Sequence, residues 1–96
     1  MPIPLAEIKK RAVPVLERHH AIEAYVFGSV ARNEAGTGSD IDILVRFDQV
    51  RGLFAFIRTK QELESALDGK TVDLVQMEAL RPEFQEDIEK ERIRIL

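Results

Sequence analysis

The six residues Asp40-Ile41-Asp42-Ile43-Leu44-Val45 constrain the fold more than any other stretch of this chain. Side chains on a strand alternate between faces. Ile41, Ile43 and Val45 therefore share one face, which belongs in a core. Asp40 and Asp42 share the other, roughly 7 Å apart at ~3.3 Å of rise per residue. Two carboxylates side by side repel and resist joint ionisation. A stable domain tolerates them when a cation sits between them, and an all-carboxylate donor set suits hard ions such as Mg²⁺ or Mn²⁺.

The surrounding pattern places this strand in a small sheet. Leu5, Ile8, Ala12, Val15, Leu16 and His19 follow helical spacing, so residues 4–20 read as an amphipathic helix that Pro14 should kink or split. Residues 22–27 are strand-like. Gly28-Ser29 then opens a short helix over "SVARNEA", with Ser29 as its cap. "GTGS" at 36–39 is a loop, and residues 40–47 form the second strand. A long helix follows over 53–68, with Leu53, Phe56, Ile57, Leu63 and Leu67 inward and Gly69 as its stop. "TVDLVQ" at 71–76 is the third strand. Pro82 opens a last helix to Glu91, with Phe84 and Ile88 inward, and "RIRIL" reads as a short fourth strand, in the chain's own sheet rather than as an edge offered to another chain. The order αβαβαβα(β) gives an α/β (α+β) fold, a small mixed sheet of three to four strands with flanking helices. A helix joins strands two and three, so they should be parallel neighbours.

Composition narrows the function. Ninety-six residues suggest one domain spanning 1–96. The formal net charge of -3 argues against direct, sequence-independent nucleic-acid binding. No cysteine is present, which excludes disulfides and thiolate metal sites. No apolar run approaches the ~18 residues of a membrane span, and the N-terminus lacks a signal-peptide core, so a cytoplasmic location without membrane attachment is expected. The chain is also too short to enclose a large acceptor, so its chemistry should borrow surface from a partner.

Asp73 supplies a third carboxylate. It stands alone among apolar neighbours in "TVDLV", on the strand expected beside "DIDILV". Parallel pairing would bring it to the face of Asp40 and Asp42. Three carboxylates can hold two metals ~3.5–4 Å apart, the arrangement used for in-line phosphoryl or nucleotidyl displacement. At the other end of the stretch, Gly28 lets the backbone approach an anion closely, Ser29 adds a hydroxyl donor, and Arg32 lies one helical turn on, within reach of a phosphate oxygen. For this anchor to face the aspartates, strands one and two must be antiparallel or folded back. No G-x-x-x-x-G-K-[ST] loop is present, and "GTGSDI" lacks the third glycine of a dinucleotide fingerprint.

Gly28-Ser29, ten residues, then Asp40-x-Asp42 resembles the signature of the polymerase-beta-like nucleotidyltransferase superfamily. "FGSVARNEAGTGSDIDILV", continued by "DGKTVDLV" and "LRPEFQEDI", is most similar to the minimal nucleotidyltransferases, antitoxin partners of HEPN-domain ribonuclease toxins. Asn33 departs from the pattern where glycine is expected after "AR". The resemblance implies a minimal nucleotidyltransferase fold that uses ATP as substrate with two Mg²⁺ ions, Mn²⁺ being the alternative. It implies AMP transfer onto a tyrosine of the partner toxin, with release of pyrophosphate. Asp40 and Asp42 would ligate both metals. Asp73 would ligate the catalytic metal and help activate the incoming hydroxyl. Gly28 and Ser29 would hold the β- and γ-phosphates, with Arg32 nearby.

Two other readings remain open on sequence. One is an antitoxin that neutralises its partner by binding alone. The other is a nucleotidyltransferase acting on a small hydroxylated molecule. Each residue also has a plainer explanation. Asp40 fits a turn, Gly28-Ser29 a helix cap, Arg32 and Glu34 a solvated surface. His19 and His20 point in different directions and suit a helix C-terminus better than a metal. The run "EDIEKERIR" reads as a solvated face with intrahelical pairs. Phe54 and Phe56 lie on different sides of their helix, so one should be core and the other free for an interface.

Overall fold

A computed structural model describes residues 3–32, 40–49 and 52–96. The expected loop at 36–39, the end of the short helix, Asn33 and Glu34 lie outside these residues. The elements run α1 (Leu5–Arg18), β1 (Ala21–Phe27), α2 (Gly28–Ala31), β2 (Ile41–Phe47), α3 (Leu53–Ala66), β3 (Val72–Gln76), a 3₁₀ turn (Met77–Ala79), α4 (Pro82–Glu91) and β4 (Ile93–Arg94). The strands form one sheet in the order β3-β2-β1-β4. β1 is antiparallel to both β2 and β4, and β2 is parallel to β3. The mixed α/β architecture expected from the hydrophobic pattern is therefore present, and "RIRIL" does join the sheet through Ile93 and Arg94.

Strand alternation decides where the core lies. Ile41, Ile43 and Val45 of β2 point to one face with Ala24 and Val26 of β1 and Val72 and Leu74 of β3. Helices α1 and α3 cover that face with Ile8, Ala12, Val15, Leu16, Leu63 and Leu67. Burying the valines, leucines and isoleucines among them contributes about 1.5–3 kcal/mol each. The opposite face carries Tyr25 and Leu44, both buried yet outside that core, beside a cavity of about 180 Å³ walled by Met77, Leu80 and Ile88.

Several local expectations need correction. Pro14 lies inside a single helix rather than dividing it. A proline forfeits one backbone bond; here the buried stripe Ile8, Ala12, Val15 and Leu16 runs across both sides of it. Ser29 is not the cap of α2, which starts at Gly28 with Phe27 in the cap position. Leu53 and Ile57 are exposed, and only Phe56 of that group's first turns packs on the core. Phe54 is 83% exposed, so the division between the two phenylalanines holds. Phe84 points outward as well. The helical period holds for α3 and α4, but α3 buries only Thr59 and Leu63 within its span and no residue of α4 is buried.

Two contacts set the register that matters for the site. The Glu64 carboxylate accepts the Val72 N–H at 2.9 Å, tying α3 to the first residue of β3. The Ile41 N–H donates to the Thr71 carbonyl at 2.9 Å, joining the starts of β2 and β3. Between these strands Ile41 then pairs with Val72, and Asp42 with Asp73. At the end of α3, Gly69 with φ +77° makes the left-handed turn a helix stop needs.

Candidate active site

Asp42 and Asp73 are direct partners across the parallel pair. Neighbouring strands stand ~4.8 Å apart and partner side chains share a face. Their carboxylates therefore leave the sheet side by side, on the face away from the main core. On its other flank Asp42 pairs with Phe27, the last residue of β1. The antiparallel arrangement of β1 and β2 delivers the Phe27-Gly28 turn directly to the aspartates. Gly28 has φ +71°, and a Cβ there would fall on the Asp42 carboxylate oxygen. Glycine at this position is thus required twice, by backbone conformation and by the close approach of Asp42.

Electrostatics confirms that these groups feel one another. The Asp42 carboxyl is pushed up to about 6, first by loss of hydration, then by the negative charges of Asp73 and Asp40. Arg32 opposes the shift, and Glu91 adds to it. The charges of Asp73, Asp40 and Arg32 thus all reach the Asp42 carboxyl. Asp40 and Asp73 are exposed, Asp42 half-buried. Ser29 follows Gly28 and is half-buried.

The donor set fits a hard divalent ion. It is all carboxylate, and Asp42 carries repulsion that a cation would relieve. Among the described residues, however, no three ligating side chains form a cluster that could hold a metal by themselves. The aspartates line one open face rather than closing a cage. Such an arrangement suits Mg²⁺, which commonly binds through one or two carboxylates and keeps water and substrate phosphate as its other ligands.

One participant was not anticipated. Glu91, the last residue of α4, belongs to the run "EDIEKERIR", whose sequence predicts a solvated face. Its carboxylate instead accepts the Gly28 N–H at 3.1 Å and pairs with Arg32 Nη1 at 2.8 Å. Arg32 holds the Glu91 carboxyl below the usual glutamate range, with the Gly28 amide contributing. Nothing in the local sequence distinguishes Glu91 from Glu86, whose partner is Lys90 on the same helix. Only the return of α4 and β4 to β1 brings it here. Next to it, the Arg92 guanidinium lies 4.1 Å from the centre of the Tyr25 ring, whose hydroxyl donates to Glu23. His19 also differs from expectation. It is buried and bonded to Glu62 of α3, so it joins α1 to α3 rather than merely ending its helix.

Facing aspartates on β2 and β3 beside a glycine turn bring carboxylate donors and a close backbone approach to one place. The chain belongs to the polymerase beta nucleotidyltransferase family, whose model matches residues 10–96. The protein adenylyltransferase MntA of Thermococcus cleftensis is 38% identical over 79 residues, covering 82% of this chain and 79% of that protein. A solved structure described as a candidate minimal nucleotidyltransferase superposes with a TM-score of 0.80 at 39% identity, covering 93% of this chain and 90% of the other. A chain from the complex of a tri-AMPylated Shewanella oneidensis HEPN toxin with an MNT antitoxin gives a TM-score of 0.72 at 23% identity. It covers 93% of this chain and 69% of that one, a likeness of fold. The minimal nucleotidyltransferase resemblance carried by Gly28-Ser29 and Asp40-x-Asp42 is thereby established, and this chain is a nucleotidyltransferase. No helix among the described residues is long and apolar enough to cross a membrane.

Proposed function

We propose that this chain is a Mg²⁺-dependent protein adenylyltransferase that moves AMP from ATP to a tyrosine of a HEPN-type ribonuclease partner, acting as its antitoxin. The observation that carries the reading is the register that sets Asp42 against Asp73 while Gly28 presses on Asp42. The 38%-identical adenylyltransferase supports the reaction type, and the fold shared with the toxin–antitoxin complex suggests the partner class.

In the reaction the tyrosine oxygen forms a bond to the α-phosphorus, the bond from that phosphorus to the β-bridging oxygen breaks, and pyrophosphate departs. Asp40 and Asp42 would hold both metal ions, and Asp73 the one nearer the acceptor. When bound, the ions polarise the phosphoryl oxygens and stabilise the attacking and leaving oxygens. Asp73, which is exposed, would take the hydroxyl proton. Gly28 contributes its backbone N–H, Ser29 its hydroxyl and Arg32 its guanidinium to the β- and γ-phosphates. The open face leaves the acceptor to be supplied by a partner surface. Exposed apolar residues Leu53, Phe54 and Ile57 at the start of α3 give the chain apolar surface for such contacts.

The test is to incubate the protein with α-labelled ATP, Mg²⁺ and its HEPN partner. Label should appear on a partner tyrosine and vanish with Asp42→Ala or with chelator. Label that survives Asp42→Ala, or transfer to a small alcohol with no partner present, would refute the assignment.

A further inference from the structure

Glu91 occupies groups that the proposed function gives to the substrate. Its two oxygens take separate donors, Oε1 the Gly28 N–H and Oε2 the Arg32 guanidinium. A carboxylate oxygen and a phosphate oxygen seek the same kind of donor, and a charged acceptor makes the stronger bond. Both cannot hold one N–H in good geometry at once. Glu91 also carries a negative charge of its own, as a polyphosphate does. Its negative charge therefore opposes a polyphosphate there twice, by taking the donors and by repulsion.

The position of Glu91 is held by the fold. It ends α4, and two residues later the chain pairs with β1, Ile93 with Val26 and Arg94 with Tyr25. Arg92 between them lies over the Tyr25 ring. The carboxylate is thus tethered beside Gly28 at both ends of its short segment, so its local concentration at the donors stays high at any protein dilution.

Resting on the phosphate-anchor reading above, we propose that Glu91 is a built-in competitor for the anchor, seated on Gly28 and Arg32 until a polyphosphate displaces it and returning as pyrophosphate leaves. It lowers affinity for ligands that need the anchor, namely the triphosphate tail of ATP, tripolyphosphate and pyrophosphate. It leaves AMP, whose single phosphate belongs at the aspartates, nearly untouched. In the catalytic cycle it weakens product retention at the same groups that hold the substrate.

Calorimetric titrations of the full chain test this with three probes in Mg²⁺: a non-hydrolysable ATP analogue, tripolyphosphate and AMP. Glu91→Gln removes the charge and keeps the shape. It should tighten the analogue and tripolyphosphate about tenfold, the scale of losing one charge-assisted contact. AMP should shift less than about twofold, since a distant screened charge is worth little. Glu91→Asp keeps the charge but is one methylene too short to span both donors, so it should also tighten the first two probes. Glu89→Gln, on the same helix, should change nothing. Wild type that binds the analogue while Glu91→Gln binds it equally or more weakly overturns the competitor role and leaves the anchor standing. Equal tightening of AMP by Glu91→Gln also overturns it, because that marks a general charge effect. If neither wild type nor variant binds the analogue or tripolyphosphate, the anchor reading falls and this inference falls with it.

Discussion

Replacing Asp42 by asparagine should make the metal-free protein more stable while removing its chemistry. Asp42 costs folding energy because its charge is partly stripped of water and faces Asp73 and Asp40. A shift from 3.8 to about 6 corresponds to roughly 3 kcal/mol at ~1.36 kcal/mol per unit for a fully buried group. Asp42 is only half-buried, so solvent screening leaves about 1–1.5 kcal/mol. Its sign follows from linkage. Above about pH 6 both folded and unfolded Asp42 are charged and the folded state bears the full penalty. As pH falls from 6 towards 4, folded Asp42 takes up a proton that the unfolded chain does not, and the penalty shrinks. Below about 4 both states are neutral and it is gone. Asp42→Asn, close in shape and always neutral, should raise Tm by about 4–8 °C at pH 8 in chelator, as expected for ~1 kcal/mol in a domain of this size. The gain should fade as pH falls through 6 and be absent near 4. Thermal melts across that range, followed by circular dichroism, read it directly. A gain that persists unchanged at pH 4, or no gain at pH 8, would show that like-charge crowding does not govern this site.

Other consequences can be measured separately. Asp73→Asn should lower the Asp42 carboxyl towards its ordinary value, seen in a carbon-detected NMR titration, because one of the charges that raises it is gone. Gly28→Ala should cost about 2 kcal/mol or more by chemical denaturation and abolish nucleotide binding, since it combines a left-handed backbone with a methyl group set on the Asp42 carboxylate. Leu63→Ala, at a fully buried position between α3 and the sheet, should lose about 2–5 kcal/mol, with binding per folded molecule unchanged. Phe54→Ser should leave stability within about 0.5 kcal/mol, because that ring is exposed; a larger loss would mean that it packs on the protein itself.

Much of this could be read from the chain because periodicity speaks for faces. Asp40-Ile41-Asp42-Ile43 and the isolated Asp73 each put a charge where an apolar run should continue. The helix between their strands made parallel pairing the natural reading, and the observed partnership of Asp42 with Asp73 depends on it. Gly28 reads from sequence as a close backbone approach, though to an anion; its positive φ and its contact with the Asp42 carboxylate emerge only in the folded chain. The features that no local pattern foretells depend on contacts between residues far apart in sequence. Glu91 meets Gly28 across 63 positions, and His19 meets Glu62 across 43. No local pattern encodes either. The helix faces are less buried than their spacing predicts for a related reason. Leu53, Ile57 and Phe84 have the spacing of core residues, but this small sheet offers α3 and α4 only a narrow contact, and these three stay in water.

Crystals grown with Mn²⁺ and a non-hydrolysable ATP analogue give the most direct test, by anomalous scattering at the manganese edge. The account predicts manganese bound by Asp42 together with Asp40 and Asp73, with the triphosphate tail running towards Gly28 and Arg32. Manganese bound only elsewhere on the surface, or a nucleotide seated with no carboxylate-bound ion beside it, would contradict it.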